Sequence, residues 1–303
     1  MAAITDIQVV APKETHRYTM IFLHGRDDDP AQFPESVLES ETSTPKRELP
    51  DLFPSMKWVF PASRTRESVR FNETMVQWFD MWSVENPSER EEIQKEGLRE
   101  SISAILELIH QEAKMVPLER IFLGGISQGC ATAILALLCG GMKLGGFVGL
   151  CSWMPLRTEL MDLATNRQHG QSSSTVSKGL RELLDVKCQE PEGNDDNALD
   201  TPIFLSHSAN DEVVPVQNGK LLRDCLETLG LKVTWREYED GGHWIYEPED
   251  ENIRNGIDDI KEFVDMHSRE FETTGVRNHK WDVTSSKVFG VWFLFGRNDR
   301  HFG

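Results

Sequence analysis

Short apolar runs of β character alternate along the chain with stretches whose apolar residues recur every three to four positions. "YTMIFLHG" (Tyr18 to Gly25) predicts a buried strand ending at a glycine turn, "MKWVFPAS" from Met56 a second, and "RIFLGG" a third. "GGFVGLCSW" from Gly145, "TPIFLSHS" from Thr201 and "KVTWREY" from Lys232 read as further strands. Between them, Leu98, Ile102, Ile105 and Ile109 repeat at helical spacing, with Ser88 as candidate N-cap and Glu91 completing a capping box. A second helix covers roughly Gln128 to Cys139, and a third runs through Leu221, Leu222, Cys225, Leu226 and Leu229. The last spans Ile253 to Met266, with Ile253, Ile257, Ile260 and Val264 on one face. Strands and helices alternating at this spacing predict an α/β fold: a mainly parallel central sheet with helices on both faces.

Three segments fall outside the alternation. "SVLESETSTPKRELPDL" (36–52) is polar and broken by proline, and "NRQHGQSSSTVSKG" and "QEPEGNDDNALD" flank a short helix near Leu180 to Leu184. The regions 36–52 and 166–200 read as insertions or exposed loops in one domain covering 1–270, with a tail at 271–303 whose order the pattern leaves open.

Composition narrows the partners. A formal net charge of -18 argues against nucleic acid and against a membrane held mainly by basic residues. The first twenty residues lack a basic region followed by a long apolar run, and "VFGVWFLFG" from Val288 is far short of a membrane span. Asn72-Glu73-Thr74 is read as a chance sequon. Five scattered cysteines show no metal-like spacing, and Cys130, Cys139 and Cys151 lie in apolar segments as buried thiols. The expected setting is reducing and intracellular, cytoplasmic with the nucleus as a second compartment.

The chemistry centres on Gly125-Ile126-Ser127-Gln128-Gly129, a G-x-S-x-G pentapeptide between the "RIFLG" strand and the "ATAILALLC" helix. A sharp strand-to-helix turn at this point would lift the hydroxyl clear of the sheet, and small flanking residues permit the turn. The bland alternative is a serine that only turns or caps the chain. A nucleophile needs an acid and then a histidine later in the chain. Asp211 follows the "IFLSHS" strand, with Glu212 and Asp240 as rivals, and His243 follows the "KVTWREY" strand in a glycine-flanked loop. His207, His110, His169, His267, His279 and His301 sit in strand, helix, polar or terminal contexts and fit less well. The oxyanion donors should be the backbone N–H of Gln128 and, from the loop after "IFLHG", that of Arg26. His24 is expected to shape that turn rather than to react.

"LHGRDD", "QWFDMWS", "RIFLGGISQG", "LCSWMPLR", "ANDEVVP" and "DGGHW" occur in the order of equivalent blocks in the acyl-protein thioesterase and small carboxylesterase/lysophospholipase family of α/β-hydrolases. The chain resembles that family over about Tyr18 to Met266. The resemblance implies an α/β-hydrolase fold, Ser127 as nucleophile, Asp211 and His243 as its partners, and the Arg26 and Gln128 amides as oxyanion hole. Two departures stand out: Asp27-Asp28-Asp29 occupies a turn that is usually glycine-containing, and Cys130 stands where a second glycine is common. The Asp run would add negative charge near the acyl site.

Met75, Trp78, Phe79, Met81 and Trp82 form an aromatic and sulfur-rich cluster that either packs the core or lines an acyl groove. Trp78, Phe79 and Trp153 are the candidate groove residues. No P-loop, dinucleotide fingerprint or metal spacing is present, so neither cofactor nor metal is expected. The reading is a serine hydrolase of esters or thioesters, with S-acylated proteins, lysophospholipids and small metabolite esters as open substrate classes. A catalytically idle binder on the same fold is the alternative of another kind.

Overall fold

The computed structural model describes residues 3–167, 174–187 and 197–274. In chain order the elements are β1 (Ile4–Val10), β2 (Tyr18–Leu23), α1 (Phe33–Leu38), α2 (Leu49–Leu52), β3 (Met56–Ser63), β4 (Thr65–Ser68) and β5 (Glu73–Val76). There follow α3 (Gln94–Glu112), β6 (Ile121–Ile126), α4 (Gln128–Gly140), β7 (Gly146–Leu150), α5 (Arg157–Arg167) and α6 (Ser174–Leu184). The remainder is β8 (Ile203–Ser208), α7 (Val216–Leu229), β9 (Val233–Tyr238) and α8 (Gly256–Thr274).

Seven strands form one sheet in the order β1-β3-β2-β6-β7-β8-β9. Only the β1–β3 pair is antiparallel; the other five pairings are parallel. β2, β6, β7 and β8 are buried along their whole length, as continuous apolar strands covered on both faces must be. Successive strand residues point to opposite faces. Ile21, Leu23, Leu123, Phe147 and Leu205 meet α3, α4, α6 and α7 on one side, while Met20, Phe22, Phe122, Val148 and Phe204 meet α1, α2 and α8 on the other. This is the α/β layering that the alternation predicts.

The topology also decides where loops can converge. The chain starts at one edge with β1, passes to β2 and back to β3 between them, then crosses to β6 on the other side of β2 and continues to β9 at the other edge. β2 and β6 are therefore neighbours at the point where the winding reverses, with Leu23 opposite Gly125. A crevice opens at the carboxyl ends of the strands at such a point. The loop after β2 and the turn after β6 both empty into it.

Several expectations need correction. Ser88 and Glu91 do not cap α3. Arg90 takes a left-handed conformation, Glu91–Ile93 forms a 3-10 turn, and the helix proper starts at Gln94 without a side-chain cap. Ile253 lies outside α8 and is 49% exposed, because the helix begins only at Gly256. The 36–52 segment contains α2 and part of α1 rather than loop alone, with Val37 and Leu49 buried. Most of the tail expected at 271–303 and much of 166–200 lie outside the described residues.

Candidate active site

At the end of β6, Ser127 adopts φ 54° and ψ −123°, a conformation that L-residues rarely occupy. The turn is held rather than merely tolerated. Ser127 N–H donates to Leu150 O at 2.9 Å, Ala131 N–H donates to Ser127 O at 3.1 Å, and Ser152 Oγ donates to the same oxygen at 2.7 Å. The flanking glycines are sterically required. A Cβ on Gly129 would lie 2.4 Å from both His24 O and Leu23 O, and one on Gly125 would lie 2.7 Å from Leu23 O. Strain sustained by its surroundings at a single polar residue is a mark of functional sites.

Asp211 and His243 arrive from the ends of β8 and β9. His243 Nδ1 donates to Asp211 Oδ2 at 2.7 Å, while Asp211 Oδ1 accepts the Val213 and Val214 amides, each at 2.9 Å. His243 sits on a loop whose Gly241 and Gly242 take φ of 124° and 61°, values that favour glycine. With Nδ1 committed to the carboxylate, Nε2 is the nitrogen left for a reacting group. The rivals are engaged elsewhere: Asp240 Oδ1 accepts from Asn210 and from the Gly241 amide, and Glu212 is exposed.

His207 fits a catalytic role poorly from its place within a strand, yet it supports this site. Its Nε2 lies 2.8 Å from Val214 O and 3.1 Å from Asp211 Oδ2, with the side chain 1% exposed. Burial alone raises the Asp211 pKa. The hydrogen bonds from His207 and His243, the His243 charge and the Val214 amide outweigh it and hold the carboxyl well below the ordinary value. Asp211 is thus an anion at every pH near neutrality.

Gln128 carries more than the sequence discloses. As the first helical residue its own N–H has no acceptor within α4. Its buried side chain also reaches outward: Oε1 accepts Trp78 N–H and Nε2 donates to Phe79 O, each at 2.8 Å. Ser101 Oγ donates to Trp78 O at 2.6 Å, and α3 approaches so closely that a Cβ on Gly97 would lie 2.5 Å from Phe79 Cα. Gln128→Ala leaves a buried N–H and C=O without partners. Each orphan costs about 1–3 kcal/mol, so a thermal melt should show clear destabilisation. Gln128→Glu should also lower Tm, since it keeps the acceptor but loses the donor to Phe79.

Ser127, His243 and Arg26 all line one cavity of about 320 Å³, a volume within the usual range for small-molecule sites. Its apolar wall comes from Met75, Val84, Ile126, Trp153, Val213 and Trp244. Of the groove residues expected from sequence, Trp153 is here. Trp78 and Phe79 are not: both are fully buried behind the wall, and Trp78 Nε1 donates to His24 O at 2.9 Å. They are packing, fixed by the Gln128 clamp.

Of the acidic run, Asp28 Oδ2 accepts the Gly25 amide at 2.8 Å and Asp29 Oδ1 accepts the Ala31 amide at 2.9 Å. Asp27 supplies the positive φ of 60° that glycine would otherwise provide. His24 is a scaffold residue. Its Nδ1 donates to Gly25 O at 2.7 Å, its Nε2 accepts the Ser63 amide at 3.0 Å, and burial lowers its pKa.

Cys151, Asp211 and His243 place potential ligand atoms within 4.8 Å of one another. Two of these groups already bond each other, and burial pushes the Cys151 thiol far up while its Sγ donates to Trp244 O. Cys130 is pushed up to about 12 by burial, and its Sγ lies only 2.6 Å from where a Cβ on Gly149 would be. Neither thiol is a ready nucleophile.

A family model described as phospholipase/carboxylesterase matches residues 4–190 and 183–267. The chain is 30% identical over 258 residues to acyl-protein thioesterase 1 of Yarrowia lipolytica, covering 84% of this chain and 96% of that protein. It is 29% identical over 228 residues to acyl-protein thioesterase 1 of Cryptococcus neoformans, covering 74% and 79% respectively. Among solved structures, Zea mays acyl-protein thioesterase 2 superposes with a TM-score of 0.61 at 22% identity, over 86% of this chain and 98% of that one.

Proposed function

Because the chain belongs to the phospholipase/carboxylesterase family of α/β-hydrolases, and is a serine hydrolase of ester and thioester bonds, we propose that it deacylates S-acylated proteins through Ser127, His243 and Asp211. Ser127 Oγ attacks the thioester carbonyl and His243 Nε2 takes its proton. The Arg26 and Gln128 amides receive the developing oxyanion, each worth on the order of 3 kcal/mol of barrier. The imidazolium returns the proton to the departing thiolate. Water, deprotonated by His243, then attacks the acyl-enzyme, and the second collapse releases the fatty acid and restores Ser127.

One observation carries this reading. Ser127, in a strained strand-to-helix turn, shares a cavity with His243, whose other nitrogen is 2.7 Å from a buried carboxylate. The apolar wall supports an acyl chain rather than a polar substrate. No cofactor enters this chemistry. Among the described residues no helix is long and apolar enough to cross a membrane; a cytoplasmic site of action is part of the proposal.

The test pairs a p-nitrophenyl ester series of increasing chain length with release of free thiol from an S-palmitoylated peptide. The expected result is turnover of both, with kcat/KM rising from acetyl toward medium chains. Turnover of short esters with none of the acylated peptide would remove the thioesterase assignment and leave a small-ester hydrolase.

A further inference from the structure

The Arg26 amide is one of the two proposed oxyanion donors, yet its side chain is turned away from bulk solvent. Nη2 donates to Ser68 Oγ at 3.1 Å and lies 3.8 Å from Asp80 Oδ1, and the guanidinium carbon stands 5.4 Å from the Phe71 ring centroid. The Arg26 side chain is 12% exposed and that of Asp80 11%. Asp80 is itself fixed by the Val69 amide on Oδ2 at 3.0 Å and the Met81 amide on Oδ1 at 2.9 Å. One residue further on, Asp27 N–H donates to Val76 O at 2.7 Å. The loop after β2 is therefore tied twice to the β4–β5 hairpin, once through a side chain and once through the adjacent amide.

Stability alone is a poor reason for this arrangement. Taking a guanidinium out of water is costly, and a 3.8 Å contact is not a close bidentate pair. Arg26 Nε is buried with no hydrogen-bond partner. Apolar side chains in place of both Arg26 and Asp80 would fill the same space without those costs. Resting on the catalytic reading above, we infer that the Arg26 guanidinium, through Ser68, Asp80 and the Phe71 ring, is a positioning group that fixes its own backbone N–H toward the oxyanion. It makes the hairpin part of the oxyanion hole. An oxyanion donor is useful only if its direction is set before charge develops, so a loop fastened at two points satisfies a requirement that a free loop does not.

The test uses the full chain with Arg26→Met, Arg26→Lys and Asp80→Asn, assayed on a short p-nitrophenyl ester. Arg26→Met should lower kcat by roughly tenfold, part of the full loss seen when an oxyanion donor is removed, with KM little changed. Tm should fall, because Asp80 loses its cation, and recover in the Arg26→Met/Asp80→Asn double variant. Arg26→Lys should recover part of kcat. The Asp80→Asn and Arg26→Met losses should not multiply in the double variant, because both break one strap. An alkylboronic acid, which forms a tetrahedral adduct on the serine, should lose affinity by the same factor as kcat. Wild-type kcat and boronate affinity in Arg26→Met overturn the strap, as does a kcat loss that disappears at an assay temperature well below the variant's Tm. A wild-type enzyme forming no boronate adduct on Ser127 overturns the catalytic reading, and the strap with it.

Discussion

Ser127→Ala is expected to remove nearly all hydrolysis, a loss on the order of 10⁴-fold or more in kcat, while the protein melts close to wild type. The expectation separates chemistry from architecture. What holds the turn is backbone: the Ser127 amide on Leu150 O and the Ser127 carbonyl on Ala131 N–H and Ser152 Oγ. Alanine keeps all three bonds and the same steric demand at φ 54°. The variant should still bind an acyl substrate, since the cavity wall is untouched. Circular dichroism and a thermal melt beside the ester assay check both halves. A variant that unfolds would mean that the hydroxyl itself holds the turn.

Asp211→Asn should be the second large effect, lowering kcat by roughly 10³–10⁴-fold, because it leaves His243 in the wrong tautomer. The carboxylate is an acceptor on both oxygens: one takes the Val213 and Val214 amides, the other takes His243 and faces His207. An amide offers one acceptor and one donor group, so either two backbone N–H groups or the imidazoles meet an NH2. A stability cost follows, and its pH dependence has a definite sign. The folded-state pKa of Asp211 is depressed, so its contribution is complete above the ordinary aspartate value and is lost as pH falls through the folded-state value. The Tm gap between wild type and Asp211→Asn should therefore be widest near neutrality and narrow in strong acid. A gap that widens on acidification contradicts the assignment of Asp211 as an anion.

How far the sequence discloses this molecule depends on the range of the interactions involved. Central strands such as "YTMIFL" and "IFLSHS" are legible because burial on both faces leaves an unbroken apolar run. β1, at the sheet edge and half exposed, lacks the unbroken apolar run of the central strands, and the β4–β5 hairpin offers no apolar alternation to detect. Ser127, Asp211 and His243 could be picked out because each follows a strand, and parallel strands bring their carboxyl ends to one edge. The start of α3 misleads because Arg90 enters a left-handed conformation that ends the capping-box reading at Ser88.

Contacts distant in sequence were the least visible. Nothing in "ISQG" shows that the Gln128 side chain grips the backbone of Trp78 and Phe79, or that this grip turns two expected groove residues into packing. His207, four residues before Asp211, could have been noticed as a partner for the acid, since a strand end followed by a tight turn brings such positions together. The acidic run after Arg26 reads as negative charge near the acyl site, yet two of its three carboxylates serve the turn itself.

Ser127 as the nucleophile is tested most directly by covalent labelling. The tryptic peptide covering 121–143 contains Ser127 as its one serine, so a fluorophosphonate adduct can be mapped to it by mass spectrometry while residual ester hydrolysis is followed. A single adduct on Ser127 is expected, with activity falling in proportion to its occupancy. Hydrolysis that persists after full modification of Ser127, or inactivation with the adduct on another residue, would contradict it.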